Sequence, residues 1–128
     1  MAPIPNNVVL KSQSGVLQLV YASGDSYELS FEYLRTHSSS AEVQGHGGQQ
    51  QILQIGKENV ALQRIEPVGN YALRLIFDDG HDSGLFTWDW LYGLCQNQAA
   101  NWQIYLARLD GIGYERKPTR FPPQSRNP

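Results

Sequence analysis

The spacing of apolar side chains changes at Thr87. Before this residue apolar and polar side chains alternate, as in strands, and residues 71–77 give the clearest run. After it the apolar residues recur at intervals of three and four, as on one helical face: Leu91, Leu94, Cys95, Trp102, Tyr105 and Leu109. Strands followed by helices predict a single α+β domain with a curled, mostly antiparallel sheet, a short helix after the third strand and C-terminal helices packed on one face.

Turn-forming residues divide the first part of the chain into short strands. Residues 12–15 separate two β-rich runs at 8–11 and 16–21, which predicts a hairpin. A third strand is expected around Tyr27 and Leu29, where the alternation continues.

A second group of strands is expected after residue 51. Residues 52–55 and 60–65 flank a turn-forming segment and predict a hairpin, whose second strand should end at Pro67 because proline lacks a ladder donor. Asp79-Gly80 predicts a two-residue turn with positive φ at both positions, after which residues 81–86 should pair back on the preceding strand.

Two features predict helix ends. The Ser30 hydroxyl can accept amide hydrogens from a first turn, so a short helix is expected from there to about Arg35. Asn97 should divide the C-terminal helical stretch into a short helix ending near Leu94 and a longer one over residues 98–109.

Composition limits the class of protein. The 128 residues carry 10 basic and 12 acidic side chains, a net charge of -2 that argues against nucleic-acid binding. No apolar run reaches the roughly 18 to 20 residues that span a bilayer, and no secretory signal is recognisable, so we expect a cytoplasmic protein without membrane contact. Residues 114–128, rich in proline and basic residues, are expected to form a disordered tail.

Residues 38–49, S-S-S-A-E-V-Q-G-H-G-G-Q, contain almost no large apolar side chain. Their glycines permit a loop that binds a ligand or one that is merely flexible. They lack the G-x-G-x-x-G pattern and the G-K-[ST] ending, which leaves an anion-binding nest as a weaker interpretation than a simple loop.

A metal site is one hypothesis, because imidazole binds zinc, iron and nickel. His37, His46 and His81 show no local ligand spacing, so only the tertiary fold could bring them together. Oxygen ligands would come from Asp78, Asp79 or Asp82. Loop histidines that are solvated or hydrogen-bonded are the simpler alternative.

Nucleophilic catalysis has little support. Cys95 could pair with His81, but it lies on an apolar helical face, where cysteine behaves as a small hydrophobe. The serines at 38–40 lack the G-x-S-x-G setting of a nucleophile elbow. Trp88, Trp90 and Trp102 are expected to be core anchors, unless one is exposed for a partner.

Three segments carry a family resemblance: Y-L-R-T-H-S-S-S-A-E-V-Q-G-H-G at 33–47, I-E-P-V-G-N-Y-A-L-R-L-I-F-D-D-G-H-D-S-G-L-F-T-W-D-W-L-Y at 65–92, and N-W-Q-I-Y-L at 101–106. They resemble the DUF971 family, also called the gamma-butyrobetaine hydroxylase-like N-terminal domain. The resemblance covers residues 6–113.

The resemblance implies where a zinc site would lie. In dioxygenases with a similar N-terminal module, three cysteines and a histidine hold a structural zinc. Ser38, Ser40 and Val43 correspond to the three cysteines and His81 to the histidine. Because serine is a poor zinc ligand and valine is none, we expect the zinc site to be lost and no cofactor to be bound.

The resemblance also bears on function. The catalytic barrel and the H-x-D/E iron motif of the dioxygenases are absent, which implies a protein that is not an enzyme. Related modules are fused to Mrp-type ATPases, so we expect an accessory or binding module in iron–sulfur or metalloprotein maturation with such a protein partner. The alternative is a metal- or small-ligand-binding protein that uses His46 and His81. The oligomeric state stays open.

Overall fold

The computed structural model describes residues 2–45 and 51–122 of the chain. The strands are β1 (Asn7–Lys11), β2 (Val16–Val20), β3 (Ser26–Ser30), β4 (Leu62–Val68), β5 (Ala72–Phe77) and β6 (Leu85–Thr87). The helices are α1 (Phe31–Thr36), α2 (Ala41–Gln44), α3 (Trp88–Gln96) and α4 (Gln98–Gly111).

The predicted α+β class is confirmed. The strands form two antiparallel sheets of three, in the orders β1-β2-β3 and β4-β5-β6. In the first sheet Leu17 lies opposite Leu29, and in the second Leu73 lies opposite Phe86. One buried apolar cluster joins both sheets to α1 and α3.

Side chains from both sheets and from α3 meet in this core. Leu19, Leu75 and Leu91 are completely buried, and each stabilises the fold by about 1.5–3 kcal/mol. The hydroxyl of Tyr33 donates to the carbonyl of Leu94 over 2.8 Å, which satisfies a polar group inside the core.

The predicted helix ends agree with the structure. The Ser30 hydroxyl accepts from the Tyr33 N–H at 3.0 Å and caps α1. Asn97 separates α3 from α4, and its N–H donates to the Gly93 carbonyl at 3.0 Å. Helix α2, capped by Ser40, was not predicted.

The predicted strand at 52–55 is wrong. These residues have no strand pairing, because their backbone groups bond elsewhere: the Ile52 N–H donates to Val43 O, and the Tyr105 hydroxyl donates to Gln54 O. Pro67 also does not end its strand. It lies within β4, which pairs only with β5 and is therefore an edge strand where a missing N–H can face outward.

The hairpin turn also differs from its prediction. Gly80 has a φ of 90°, but no described residue other than glycine has positive φ, so Asp79 does not adopt the expected conformation. Pairing with β5 begins at Leu85, opposite Arg74. Residues 81–84 therefore lie outside the regular ladder, and His81 turns into the interior, where it is 4% exposed.

Residues 114–122, part of the predicted disordered tail, contact the body of the protein. The Arg116 guanidinium pairs with Glu32, and Phe121 packs edge-on against Phe31 with ring centroids 5.4 Å apart. The proline-rich, basic composition predicted a tail that does not fold alone, and the acidic and aromatic partners of these residues lie far away in sequence. Residues 123–128 lie outside the described part of the chain.

Candidate functional site

A buried polar cluster joins the α1–α2 connection to the segment between β5 and β6. Ser38 lies in the connection, Glu42 in the first turn of α2, and His81 follows the turn after β5. Because His81 leaves the ladder, its ring can enter the space beneath α2.

The His81 ring is hydrogen-bonded at both nitrogens. Its Nε2 lies 2.9 Å from Ser38 Oγ, and its Nδ1 lies 2.8 Å from Glu42 Oε1. Since a carboxylate accepts, Nδ1 carries the proton and donates to Glu42, and Nε2 accepts from the Ser38 hydroxyl. The Ser38 oxygen accepts in turn from the Ser40 N–H at 3.2 Å.

Burial lowers the pKa of His81, and the charge of Arg35 lowers it further, whereas Glu42 raises it. The imidazole is therefore favoured in its neutral form, with one donor and one acceptor nitrogen, as the two hydrogen bonds require.

Further hydrogen bonds extend the cluster to Ser40, Ser83 and Gln44. Ser40 Oγ lies 2.7 Å from Ser83 Oγ, and Gln44 Nε2 donates to Ser38 O at 2.7 Å. A Cβ on Gly84 would lie 2.4 Å from Ser38 Oγ, so any larger residue there would have to displace the serine. The glycine lets the backbone cover Ser38.

The hydrogen-bonded order serine, histidine, carboxylate is that of a catalytic triad, but here a substrate cannot reach the serine. A catalytic serine must reach a substrate carbonyl. Ser38 is 0% exposed, and its oxygen already takes part in hydrogen bonds to Ser40 and His81. The cluster acts as a hydrogen-bonded crosslink between two distant segments.

The residues do not fit the zinc site that the resemblance implies. Zinc in a structural site takes four nitrogen or sulfur ligands, and only His81 supplies one. The Ser38 hydroxyl donates to His81, the Ser40 hydroxyl bonds to Ser83, and Val43 is a buried apolar side chain. Within residues 2–45 and 51–122 no three His, Cys, Asp or Glu side chains are grouped to hold a metal ion.

Restoring thiolates should create a metal site. We expect the variant S38C/S40C/V43C to bind one zinc, with His81 as the fourth ligand, because Ser38 already contacts His81. Cobalt titration checks this, since tetrahedral cobalt–thiolate sites absorb in the visible. Adding His81→Ala should weaken binding at least tenfold. The natural chain, titrated in parallel, is the control, and equal cobalt spectra for both proteins would contradict the expectation.

The other predicted ligands that the structure describes do not join this cluster. His46 lies outside the described residues. His37 Nδ1 lies 3.0 Å from Tyr33 O, and burial lowers its pKa. Although burial opposes it, hydrogen bonds from Lys57, the His81 N–H and Arg35 lower the pKa of Asp79 to about 2.

Asp78 and Asp82 have other roles, and Cys95 is inert. Asp78 Oδ1 accepts from the Ala61 N–H at 3.0 Å, and Asp82 lies 3.9 Å from Arg74 on the surface. Burial raises the pKa of the Cys95 thiol to about 12, so little thiolate forms at neutral pH. The thiol is 4% exposed in the core.

Glu42 and Ser83 were not recognised from the sequence. A signal for Glu42 existed, since Ser40 followed two residues later by an acid favours the first turn of a helix. Nothing local indicated that this turn would face His81, 39 residues away.

The two three-stranded sheets and four helices of the described residues define a small α+β protein. Residues 8–92 match the family described as gamma-butyrobetaine hydroxylase-like, N-terminal. The chain belongs to this family. A search of curated proteins found no match.

Three solved structures are similar to the chain. A protein solved by NMR is 50% identical, with a TM-score of 0.78, over 98% of this chain and 95% of its own. A second NMR structure is 42% identical, with a TM-score of 0.80, over 99% and 95%. A crystal structure of a DUF971 protein of unknown function from Acidithiobacillus ferrooxidans is 37% identical, with a TM-score of 0.59, over 70% and 90%.

Of the described helices, α4 is the longest, with 14 residues. None of those within 2–45 and 51–122 is long and apolar enough to cross a bilayer.

Proposed function

We propose that this chain is a non-catalytic binding module that docks on a protein partner, and that the partner is an Mrp-type ATPase acting in iron–sulfur protein maturation. Two points support the proposal. The polar cluster around His81 is closed to substrate, and the family resemblance includes modules fused to such ATPases.

The observation that carries the proposal is an exposed set of isoleucines. Ile52 and Ile104 are 48% and 60% exposed and line the same surface depression. Ile55 follows in the same segment as Ile52, and Ile112 lies at the end of α4; they are 49% and 61% exposed. Exposed apolar side chains that share one depression, as Ile52 and Ile104 do, are typical of protein interfaces.

Polar contacts hold this depression in shape. Arg108 Nη2 donates to Gln51 O at 2.9 Å, and the Tyr105 hydroxyl donates to Gln54 O at 2.7 Å. Both bonds fix the segment that carries Ile52 against α4. The apolar surface is therefore formed before a partner arrives, which reduces the ordering cost of binding.

A charge in this depression should weaken binding. We expect Ile104→Glu to lower the affinity for a purified Mrp-type ATPase at least tenfold, about 1.4 kcal/mol, because the carboxylate would be desolvated in the interface. Isothermal titration calorimetry measures the affinity. Ile4→Glu is the matched control, since Ile4 is 56% exposed but does not line the depression.

The proposal fails if the natural chain shows no binding to the ATPase and if a deletion strain keeps normal activity of its iron–sulfur enzymes. Equal loss of affinity in Ile104→Glu and Ile4→Glu would mean that the isoleucine depression is not the docking surface, but it would leave the proposed partner unchanged.

The alternative function, metal or small-ligand binding through His46 and His81, stays a prediction. The natural chain in the cobalt titration tests it for metals. Stoichiometric binding that His46→Ala removes would favour this alternative over the docking module.

A further inference from the structure

The segment of residues 114–122, here called the C-terminal arm, crosses the body of the protein and carries one arginine into it. Arg116 pairs through Nε and Nη2 with both carboxylate oxygens of Glu32, whose side chain is 8% exposed. The guanidinium also lies over the Trp102 ring, 5.4 Å from its centroid. A bidentate ion pair with a stacked aromatic ring is a specific arginine site.

A second buried acid lies under the arm. Glu58 is 4% exposed, and its Oε2 accepts from the Tyr114 hydroxyl at 2.7 Å and from the Lys117 N–H at 3.0 Å. Burial by itself raises the pKa of Glu58, but these hydrogen bonds hold it below its usual range. The acid thus binds the backbone of the arm as well as a side chain.

An aromatic slot receives the other end of the arm. Phe121 packs edge-on against Phe31, with an interplanar angle of 84°. Gly15 forms the opposite wall: its φ is +73°, and a Cβ there would lie 2.5 Å from Phe121 Cγ. A side chain at this position would close the slot.

The body therefore has a groove, here called the arm groove, formed by Gly15, Phe31, Glu32, Glu58 and Trp102. It recognises an arginine and, five residues later, an aromatic ring. Without an occupant, Glu32 would lose its cation, and the repulsion between the two neighbouring acids would be left uncompensated. The groove is charge-complementary to a basic, extended peptide.

The arm is attached in a way that permits release. Residues 115–120 are exposed along the arm, and Gly113, with a φ of 74°, directs the chain out of the end of α4. The large side chains of Tyr114, Arg116 and Phe121 contact the body. Few buried apolar contacts and exposed backbone are the marks of a segment that opens locally without global unfolding.

We propose that the arm groove is a binding site for a segment of a partner protein that carries the Arg-x-x-x-x-aromatic pattern in extended form. The chain's own arm is a cis ligand that occupies the groove until such a segment replaces it. The arm groove shares no lining residue with the isoleucine depression, and the proposal does not depend on the function proposed for that depression.

The experiment uses the full chain with a weakened arm, R116A/F121A, and a fluorescent peptide of residues 114–122, Y-E-R-K-P-T-R-F-P. A tethered arm competes at an effective concentration on the order of millimolar. The peptide should therefore bind the variant at least tenfold tighter than it binds the natural chain. A peptide that keeps only the arginine and the phenylalanine, with alanine elsewhere, should bind comparably.

Two controls test whether the groove recognises the arginine and the aromatic side chain of the peptide. Adding Glu32→Gln to the variant should weaken peptide binding at least tenfold, and a peptide with both anchors changed to alanine should not bind. Equal binding of the anchored and anchorless peptides would overturn the proposal. Dimerisation of R116A/F121A without peptide, seen by light scattering, would assign the groove to a second copy and would also overturn it.

Amide hydrogen exchange on the natural chain tests release without any variant. The Lys117 N–H donates to Glu58 and the Arg120 N–H to Asn59. Both should exchange at least tenfold faster than the Leu75 amide in β5. Exchange at the same rate as Leu75 would mean that the arm opens only with global unfolding, which would overturn the proposal.

Discussion

His81→Ala is expected to lower the free energy of unfolding by about 3 kcal/mol at neutral pH. The substitution removes a side chain that is 2% exposed and leaves the buried Ser38 hydroxyl without its acceptor. An unpaired buried polar group costs about 1–3 kcal/mol, and the space left by the ring adds to this. Urea denaturation followed by tryptophan fluorescence measures the change.

Glu42→Gln is the matched control for this prediction. Glu42 is 68% exposed, and the amide oxygen of glutamine can still accept from His81 Nδ1. The loss should stay below about 1 kcal/mol. If His81→Ala proved no less stable than Glu42→Gln, the cluster would not crosslink the two segments.

Arg116→Ala is expected to destabilise the protein by about 3 kcal/mol. Removing one partner of a buried ion pair costs about 3–5 kcal/mol, and the lower end applies because the Arg116 side chain is 32% exposed. Arg120→Ala is the control: this side chain is 55% exposed and lies 3.6 Å from Asp78, so little change is expected.

The effect of Arg116→Ala should depend on pH. Burial raises the pKa of Glu32, and Arg116 opposes this, so the variant should have a still higher Glu32 pKa. A carboxyl whose pKa is raised by folding destabilises the protein when ionised, and this cost is relieved as the pH falls through the folded pKa. The nearby Glu58 raises the pKa of Glu32 in the same direction.

The difference between natural chain and variant should therefore be larger at about pH 7.5 than at about pH 5, because protonation of Glu32 as the pH falls removes the cost of its unpaired charge. Urea denaturation at both pH values measures it. A difference that grows toward acid would contradict the role assigned to the ion pair.

Several elements could be predicted because their signals are local. The Ser30 cap and the break at Asn97 depend on hydrogen bonds within one helical turn. The helical face that includes Leu91 and Leu109 follows from the period of the chain itself, and both residues are buried. Such local patterns predict secondary structure without knowledge of the tertiary fold.

Residues 52–55 show where a local signal is insufficient. Their β-branched and apolar side chains favour a strand, but strand preference describes a side chain on a pleated, half-buried surface. Here Ile52 is exposed and its N–H bonds to Val43 at the end of α2. Which backbone partner is available depends on the arrangement of distant elements.

The cluster was predictable only in part. The family resemblance selected Ser38, Ser40, Val43 and His81, and the absence of thiolates followed directly from the sequence. Glu42 could not be identified as a member of the cluster, because its hydrogen bond to His81 depends on how α2 is oriented relative to the segment after β5.

By itself the sequence determined the α+β class and the helical face of the C-terminal half, since both follow from the periodicity of apolar side chains. Only the tertiary structure decided that His81 bonds to Ser38, 43 residues away, and that Arg116 bonds to Glu32, 84 residues away. A buried polar group must find a partner in space. Its position in the sequence does not specify which partner that is.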